Sequence, residues 1–303
     1  MSGTTTYADW IAVDWGTSNL RVWAMRDGAP VAEAQSDKGM GMLDPSGFEP
    51  ALLELIEPWL GQSPIRIIAC GMVGSRSGWV EAPYQTVPSR PLSSNLVAAP
   101  SIDPRLDVRV IPGLKQTSPA DVMRGEETQI AGYLAGNPGF DGVLCLPGTH
   151  SKWVQVSAGE VVSFRTFMTG EMFALLAKTS VLRLTVGDGW DDAAFTDAVA
   201  DSMARPEAFA QRLFSIRAEG LLSGLDGGAA RARLSGSLIG AELAAARPYW
   251  LGQNVALIGD EALSRTYATA LAAQGLVAER ADAEACTLAG LGAAYDHLME
   301  TTQ

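Results

Sequence analysis

Cysteine, histidine and basic residues are scarce in this chain. Its 303 residues include three cysteines, two histidines and 22 Lys plus Arg against 34 Asp plus Glu, which gives a formal net charge of −12. No Cys-x-x-Cys pair or Cys/His cluster occurs, which argues against a structural zinc site. The acidic balance argues against nucleic acid as a main partner, because phosphate backbones are bound by basic faces. A small anionic ligand in a local basic pocket is still allowed.

Long hydrophobic runs are also missing. No stretch reaches 18 apolar residues, since Glu54 and Glu57 interrupt the run 51–60. The segment 1–9 has no basic region followed by an apolar one, so we expect no signal peptide. The odd number of scattered cysteines fits a reducing compartment. We therefore expect a cytoplasmic protein with no membrane partner.

Three common catalytic motifs are absent. The chain contains no G-x-x-x-x-G-K-[ST], which argues against a P-loop enzyme. It has no G-x-G-x-x-G after a predicted strand and no G-x-S-x-G, which weakens the case for a Rossmann dehydrogenase and for an α/β-hydrolase.

A repeated pattern of strands and turns is present instead. Short apolar strands are predicted at 10–13, 20–25 and 30–35, and again at 142–146, 152–156 and 161–166. The Gly16-Thr17 turn recurs 132 residues later as Gly148-Thr149. The Asp27-Gly28 turn recurs 131 residues later as Ala158-Gly159. We interpret the pattern as a duplication.

The domain organisation follows from length and from the order of predicted elements. A chain of 303 residues predicts about two domains, which we place at 1–119 and 120–303. Strands alternate with helices in the second half, which predicts an α/β fold with mixed sheets. The Pro-rich stretch 82–119 is expected to form mostly loops around one strand at 108–111. The last predicted helix, 283–298, is a candidate for packing back on the first domain.

The first Gly-Thr turn combines an acid with phosphate-binding groups. Asp14 ends a buried strand, and the turn that follows offers backbone N–H groups and polar side chains from Gly16, Thr17, Ser18 and Asn19. An acid beside phosphate is repulsive unless a divalent cation lies between them, so Asp14 suggests Mg²⁺. The alternative is a plain hairpin turn with an Asx-type hydrogen bond.

The second Gly-Thr turn lacks the acid. It carries Gly148 and Thr149, followed by His150 and Lys152. If the duplication is real, this turn also binds phosphate. The alternatives are a hydrogen-bonded loop histidine and a solvated strand lysine.

A pair of acids opens the helix predicted after residue 123. Glu126 and Glu127 follow Gly125, and Arg124 precedes it. Acids at a helix N-terminus are favoured by the helix dipole, which accounts for at least one of them. A carboxylate near a transferring phosphoryl group can also serve as general base toward a hydroxyl.

These motifs carry a family resemblance. Val13–Arg21 resembles the first phosphate motif of the actin, hexokinase and Hsp70 ATPase superfamily. Within it, the chain resembles the 2-dehydro-3-deoxygalactonokinase family. The stretches that carry this likeness are 14–23, 71–75 with 78–79, 82–84, 111–114, 123–129, 147–154, 164–171 and 237–242.

The resemblance implies two ribonuclease H-like domains of the actin-like ATPase type, with mixed sheets around a central cleft. It implies ATP and Mg²⁺ as cofactors and a small sugar acid as substrate. The implied reaction is transfer of the γ-phosphoryl group to the 6-hydroxyl of 2-dehydro-3-deoxy-D-galactonate, in galactonate catabolism.

The resemblance also implies residue roles. Glu126 takes the place of the general base of related sugar kinases, with Glu127 as the alternative, and Asp14 holds Mg²⁺. Gly259 belongs to the expected adenosine motif, 257–263. The candidates for binding the substrate carboxylate are Arg21, Arg76, Arg124, Lys152 and Arg165, of which we favour Arg124 and Arg165. Met72 and Trp79 either line the sugar pocket or belong to the core.

Several alternatives stay open at this point. The chain could be a kinase for another sugar or sugar acid, a nucleotide-binding sensor without catalysis, or a filament-forming actin-like protein. The sequence leaves open the stereochemistry of the substrate and the oligomeric state, for which a homodimer is one option.

Overall fold

The structure is a computed structural model that describes residues 8–302. The segment 1–7, where we expect no signal peptide, lies outside the described residues. Contacts divide the chain into two compact units. The first contains Met1–Phe140, Ala158–Val162 and Ala283–Gln303, and the second contains Asp141–Ser157 and Ser163–Asp282. Among the described residues, no helix is long and apolar enough to cross a membrane.

The elements of the first unit are mostly short strands. In chain order they are β1 (Trp10–Trp15), β2 (Leu20–Arg26), β3 (Ala29–Ser36), α1 (Phe48–Ile56), β4 (Ile65–Gly71), β5 (Gln85–Thr86), β6 (Val97–Ala98), β7 (Leu106–Val110), β8 (Leu114–Thr117), β9 (Ala120–Met123) and α2 (Glu126–Gly136). The C-terminal helix α9 (Ala283–Thr302) belongs to this unit as well.

The second sheet and its helices follow. They are β10 (Gly142–Leu146), β11 (Ser151–Ser157), β12 (Glu160–Phe167), α3 (Thr169–Lys178), α4 (Asp192–Ala204), α5 (Phe209–Leu222), α6 (Gly227–Ala245), α7 (Arg247–Trp250), β13 (Val255–Gly259), α8 (Glu261–Ala272) and β14 (Glu279–Asp282). Strand β14 is not predicted from the sequence, because three of its four residues are charged.

The two main sheets repeat one topology, as the sequence pattern predicts. The strand order is β3-β2-β1-β4-β7-β6 in the first and β12-β11-β10-β13-β14 in the second. In each, the leading strand pairs antiparallel with the next strand and parallel with a later one. The second turns also match, because Asp27 and Gly28 have φ of 51° and 76° while Ala158 and Gly159 have 52° and 76°.

The Pro-rich stretch contains more strand than expected. Besides β7, it contains β5, β6 and β8, and β8 and β9 form an antiparallel hairpin in a small third sheet. The compact units also divide after Phe140, whereas the sequence analysis placed the boundary at Pro119. The reason is that α2 packs along α9 within the first unit.

Glycines make the contact between α2 and α9 close. A Cβ added to Gly132 of α2 would lie 1.9 Å from the Cys286 carbonyl oxygen, and one added to Gly290 of α9 would lie 1.9 Å from the Thr128 carbonyl oxygen. At both points the nearest atoms belong to the backbone of the other helix. A larger residue could therefore not be accommodated by the movement of a side chain. The contact fixes α2, whose first turn carries the predicted general base.

We therefore expect Gly290→Ala to lower the free energy of unfolding of the first unit by about 1–3 kcal/mol or more, because overpacking forces the two helices apart. Gly292 lies on the same helix with nothing within 4 Å of an added Cβ. Gly292→Ala should accordingly stabilise the protein by up to about 1 kcal/mol through helix propensity. Thermal unfolding followed by circular dichroism compares the two variants, and equal melting temperatures would contradict the close contact.

Candidate active site

Three distant segments meet at one end of the first sheet. Strands β1 and β4 run parallel, with Asp14 opposite Cys70 and Trp15 opposite Gly71. Gly71 has φ +90°, and an added Cβ would lie 2.6 Å from the Trp15 carbonyl oxygen. Gly125, with φ +105°, begins α2 so close that its own added Cβ would lie 3.5 Å from the Gly71 Cα. The predicted metal-binding acid and the predicted base are therefore held in one region of the first unit.

Cys70 lies beside Asp14 in this region. Its Sγ is 3.8 Å from Oδ1 of Asp14. Burial raises the pKa of the Cys70 thiol well above its usual value, and the carboxylates of Asp14 and Glu127 raise it further. Cys70 is therefore a neutral thiol next to the Asp14 carboxylate.

Asp14 is paired with a basic residue that the sequence analysis assigned elsewhere. Register places Arg21 of β2 opposite Asp14, and Arg21 Nη2 lies 2.5 Å from Oδ2 of Asp14. Arg21 Nη1 also contacts the carboxylate of Glu284 at 3.1 Å. Because two carboxylates already engage this guanidinium, the structure does not favour Arg21 as the partner of a substrate carboxylate. The signal in the sequence for this pair was the hairpin formed by β1 and β2, whose register places the two residues opposite each other.

Backbone hydrogen bonds hold the first Gly-Thr turn in place. The Gly16 N–H donates to the Asn19 carbonyl at 2.9 Å. The N–H groups of Met40 and Gly41 donate to the carbonyls of Gly16 and Thr17 at 3.0 and 2.9 Å. The three residues after Gly16 are exposed. This geometry fits a preformed anion-binding turn.

The residues near this turn also fit a magnesium ion. No group of three His, Cys, Asp or Glu side chains within residues 8–302 is placed to hold a metal by itself. Mg²⁺, however, commonly uses one or two carboxylates and completes its shell with phosphates and water. Asp14 has 22% of its side chain exposed and lies just before the exposed turn.

The structure distinguishes the two acids of α2. Glu127 is completely buried, and its two carboxylate oxygens accept the Gly125 N–H at 2.9 and 2.8 Å. Burial, and next the charge of Glu126, raise the pKa of Glu127 to about 8. Glu126 is half-buried and accepts the Arg124 backbone N–H at 3.0 Å. Access to a substrate hydroxyl therefore favours Glu126.

Arg124 is a half-buried cation with two unused donors. Its Cζ lies 4.4 Å from the centre of the Tyr84 ring, and Nη2 donates to the Ala82 carbonyl at 2.7 Å. In the described part of the chain, its Nε and Nη1 are buried and have no hydrogen-bond partner. Leaving charged donors unpaired costs free energy, so the arrangement suits an anionic ligand. Arg124 is a predicted site residue, whereas Tyr84 belongs to the resembling stretch 82–84 without a predicted role.

The two candidate pocket residues of the first unit differ. Trp79 is 7% exposed and donates its indole N–H to the Pro100 carbonyl at 2.9 Å. Its ring stacks on Phe48 at 6.2 Å, so Trp79 belongs to the core. Met72 is half-buried and follows Gly71 directly, which keeps it next to the region of Asp14. Arg76 is exposed in the same loop.

In the second unit, α3 begins against the second Gly-Thr turn. The Glu171 N–H donates to the Thr149 carbonyl at 2.9 Å, and an added Cβ on Gly170 would lie 2.3 Å from the Gly148 carbonyl oxygen. His150 Nε2 lies 2.6 Å from the Glu171 carboxylate. The start of α3 therefore determines where this turn lies.

Neither of the two candidate substrate-binding cations of the second unit, Lys152 and Arg165, is fully exposed. Lys152 is 4% exposed, with Nζ 3.5 Å from the His150 carbonyl oxygen, so it is not the solvated strand residue allowed as an alternative. Arg165 of β12 is half-buried, donates to the Phe164 carbonyl at 2.9 Å and lies 6.0 Å from the Tyr249 ring centre.

A pocket of about 330 Å³ lies beside the second turn. Gly148, Thr169 and Gly170 form one wall. Side chains of α6 and α8 form the others, among them Arg231, Leu238, Leu263 and Tyr267. Gly259 ends β13, and the next residue, Asp260, caps α8 by accepting the N–H groups of Ala262 and Leu263.

Comparisons with known proteins agree with the resemblance. The model of the family described as 2-keto-3-deoxy-galactonokinase matches residues 14–294. The chain belongs to this family. A Rhizobium meliloti (strain 1021) protein named "Probable 2-dehydro-3-deoxygalactonokinase DgoK1" is 41% identical over 96% of this chain and 97% of its own. The 2-dehydro-3-deoxygalactonokinase of Escherichia coli K12 is 34% identical over 88% and 91%. Membership of a kinase family supports the use of a nucleotide.

Solved structures confirm the fold. A crystal structure of a candidate 2-dehydro-3-deoxygalactonokinase from Sinorhizobium meliloti matches with a TM-score of 0.86 and 39% identity over 94% of this chain and 95% of its own. An activator of 2-hydroxyisocaproyl-CoA dehydratase from Clostridium difficile matches with a TM-score of 0.55 at 12% identity, covering 97% and 96%. The fold is the mixed α/β arrangement of the actin-like ATPases.

Glu127 should make the stability of the protein depend on pH. Its carboxyl group is neutral in the folded state below about pH 8, whereas in the unfolded state it ionises above about pH 4.5. The contribution of Glu127 to the free energy of unfolding is therefore complete below pH 4.5. It is lost as the pH rises to about 8, and its magnitude is on the order of a few kcal/mol. We expect Glu127→Gln to flatten this decline in urea unfolding at pH 5, 6.5 and 8. The exposed Glu81 of the same unit provides the control, and a Glu81→Gln slope as flat as that of Glu127→Gln would contradict the assignment.

Proposed function

We propose that this protein transfers the γ-phosphoryl group of ATP to the 6-hydroxyl of 2-dehydro-3-deoxy-D-galactonate, in the cytoplasm, as a step of galactonate catabolism. One observation carries the proposal beyond family membership. The same unit holds a partly exposed carboxylate at Glu126 and, two residues before it, a guanidinium with two buried and unpaired donors at Arg124. A sugar acid has both groups that such a site needs: a hydroxyl to be deprotonated and a carboxylate to be bound.

Arg124 is the proposed partner of the substrate carboxylate. A guanidinium can bind a carboxylate through two parallel hydrogen bonds, and Nε and Nη1 of Arg124 are the donors left over after Nη2 binds Ala82. The Tyr84 ring lies against the same guanidinium at 4.4 Å and keeps its plane fixed. Arg165 is the rival candidate.

Glu126 is the proposed general base. It takes the proton of the 6-hydroxyl while that oxygen forms a bond to the γ-phosphorus, and the bond from this phosphorus to the β–γ bridging oxygen breaks, so that ADP leaves. Glu127 suits this role less, because it is buried and binds the backbone N–H of Gly125. Its place is to stabilise the first turn of α2, where the base lies.

Asp14 would hold Mg²⁺, whose charge would offset that of the phosphate oxygens. The exposed turn Gly16–Asn19 and the turn at Gly148, Thr149 and His150 are the proposed phosphate-binding groups. We place the adenosine in the 330 Å³ pocket of the second unit, next to Gly259. The pocket is lined by both apolar and polar side chains, as a nucleoside requires.

Glu126→Gln should lower kcat by about 10²–10⁴-fold, because a general base contributes roughly this much. The measurement is coupled ADP release on a panel of 2-keto-3-deoxy sugar acids, which also distinguishes this substrate from other sugar acids. Glu127→Gln is the matched comparison and should keep a larger kcat than Glu126→Gln. If both variants kept the wild-type kcat, the assignment of the base would be wrong.

Arg124→Lys should raise the KM for the sugar acid by about tenfold or more and leave the KM for ATP unchanged. The lysine keeps the charge, but it loses the two-point binding of the carboxylate, and hydrogen bonds to charged groups contribute about 1.5–3 kcal/mol. Arg165→Lys is the matched variant in the other unit. An increase in KM with Arg165→Lys and none with Arg124→Lys would transfer the role to Arg165.

A further inference from the structure

One buried carboxylate of the second unit has no part in the chemistry described above. Glu242 of α6 is 3% exposed. Its Oε1 accepts the Trp153 indole N–H at 2.8 Å. Its Oε2 accepts the Tyr267 hydroxyl at 2.8 Å and also the Thr169 hydroxyl. The Tyr267 oxygen in turn lies 2.9 Å from Ser151 Oγ.

The partners of Glu242 come from three different elements. Trp153 belongs to β11, Thr169 is the first residue of α3, and Tyr267 lies on α8. Burying a carboxyl group is costly unless its hydrogen bonds are directional and complete, and an apolar core of the same shape is often at least as stable. The network therefore points to a positional role.

Two of these partners line the pocket proposed for the nucleoside. Thr169 and Tyr267 both lie on its walls, whereas Glu242 does not. Thr169 is also the first residue of the helical turn that contacts the second Gly-Thr turn. The contacts are the hydrogen bond donated by the Glu171 N–H and the close approach of Gly170 to Gly148. A continuous series of contacts thus runs from Glu242 to a predicted phosphate-binding turn.

The carboxylate itself is held in place by the packing of its helix. An added Cβ on Gly236 would lie 2.5 Å from the Phe195 carbonyl oxygen, and one on Gly240 would lie 2.7 Å from the Val199 carbonyl oxygen. Helix α6 therefore meets the backbone of α4 directly and cannot shift without a clash. Glu242 projects from this fixed helix.

We infer that Glu242 is a positioning residue for nucleotide binding: through Thr169 and Tyr267 it sets the distance between α3 and α8, and with it the position of the second Gly-Thr turn. The inference rests on the proposed function, because it requires a nucleotide in this pocket. It assigns to Glu242 an effect on nucleotide affinity and none on the binding of the sugar acid.

The test uses the full chain and isothermal titration with ADP. Glutamine has one acceptor oxygen where the carboxylate has two, so Glu242→Gln breaks the present set of bonds. We expect the Kd for ADP to rise about tenfold, as for the loss of a hydrogen bond to a charged group, while the KM for the sugar acid stays within twofold. Thr169→Val cuts the same link at its other end and should also weaken ADP binding.

The double variant separates positioning from a general loss of packing. If Glu242 acts through Thr169, then Glu242→Gln combined with Thr169→Val should weaken binding less than the product of the two single effects. Trp250→Phe provides the control, since it removes a buried indole hydrogen bond to the Leu243 carbonyl in the same core and touches no wall of the pocket. Its Kd should match that of the wild type.

Each outcome decides a different question. Absence of ADP binding by the wild type would overturn the proposed function and this inference with it. Binding by the wild type, with an unchanged Kd in Glu242→Gln and Thr169→Val, would overturn the inference and leave the function. Multiplicative effects in the double variant, or an equal loss in Trp250→Phe, would also overturn it. Should Glu242→Gln fail to fold, Trp153→Phe takes its place against Trp250→Phe, because it removes a donor to Glu242 and lies outside the pocket lining.

Discussion

The parallel pairing of β1 with β4 is the constraint on which the candidate site depends. It brings the end of β1, with Asp14, beside the end of β4, with Gly71. A glycine with positive φ at position 71 then leaves room for the start of α2 at Gly125. Without this pairing, the carboxylate of Asp14 and the acids of α2 would lie in unrelated places. The close contact of α2 with α9 holds the helix in the same position from its other side.

The charged residues of this region differ in their burial and in their ion pairs. Arg21 is engaged by Asp14 and Glu284, whereas Arg124 keeps buried donors without partners. Glu127 is withdrawn from water and binds the backbone, while Glu126 stays accessible. The two glutamates and the two arginines thus differ in burial and in partners, which residue type by itself does not predict.

The two sheets show how a repeated scaffold acquires different chemistry. The five strands of the second sheet repeat the order of the first five in the first sheet, and the second turn is the same in both. Asp14 lies two residues before Gly16, whereas the same place before Gly148 is taken by a buried leucine, Leu146. The second turn contacts the start of α3, whose first residue, Thr169, donates to the carboxylate of Glu242. These differences are the reason why we propose the metal ion beside the first turn and the nucleoside beside the second.

The sequence by itself determined the strand and turn pattern, its repetition, the α/β class and the motifs at Asp14, Glu126 and Thr149. These are local properties, set by hydrophobic period, by glycine in turns and by neighbours along the chain. Only the tertiary structure decided that Arg21 pairs with Asp14 and Glu284, that Trp79 is core, that Lys152 is buried and that Glu242 joins three elements. Each of these depends on which groups approach from distant parts of the chain and on how much water remains around them, and no local pattern encodes either quantity.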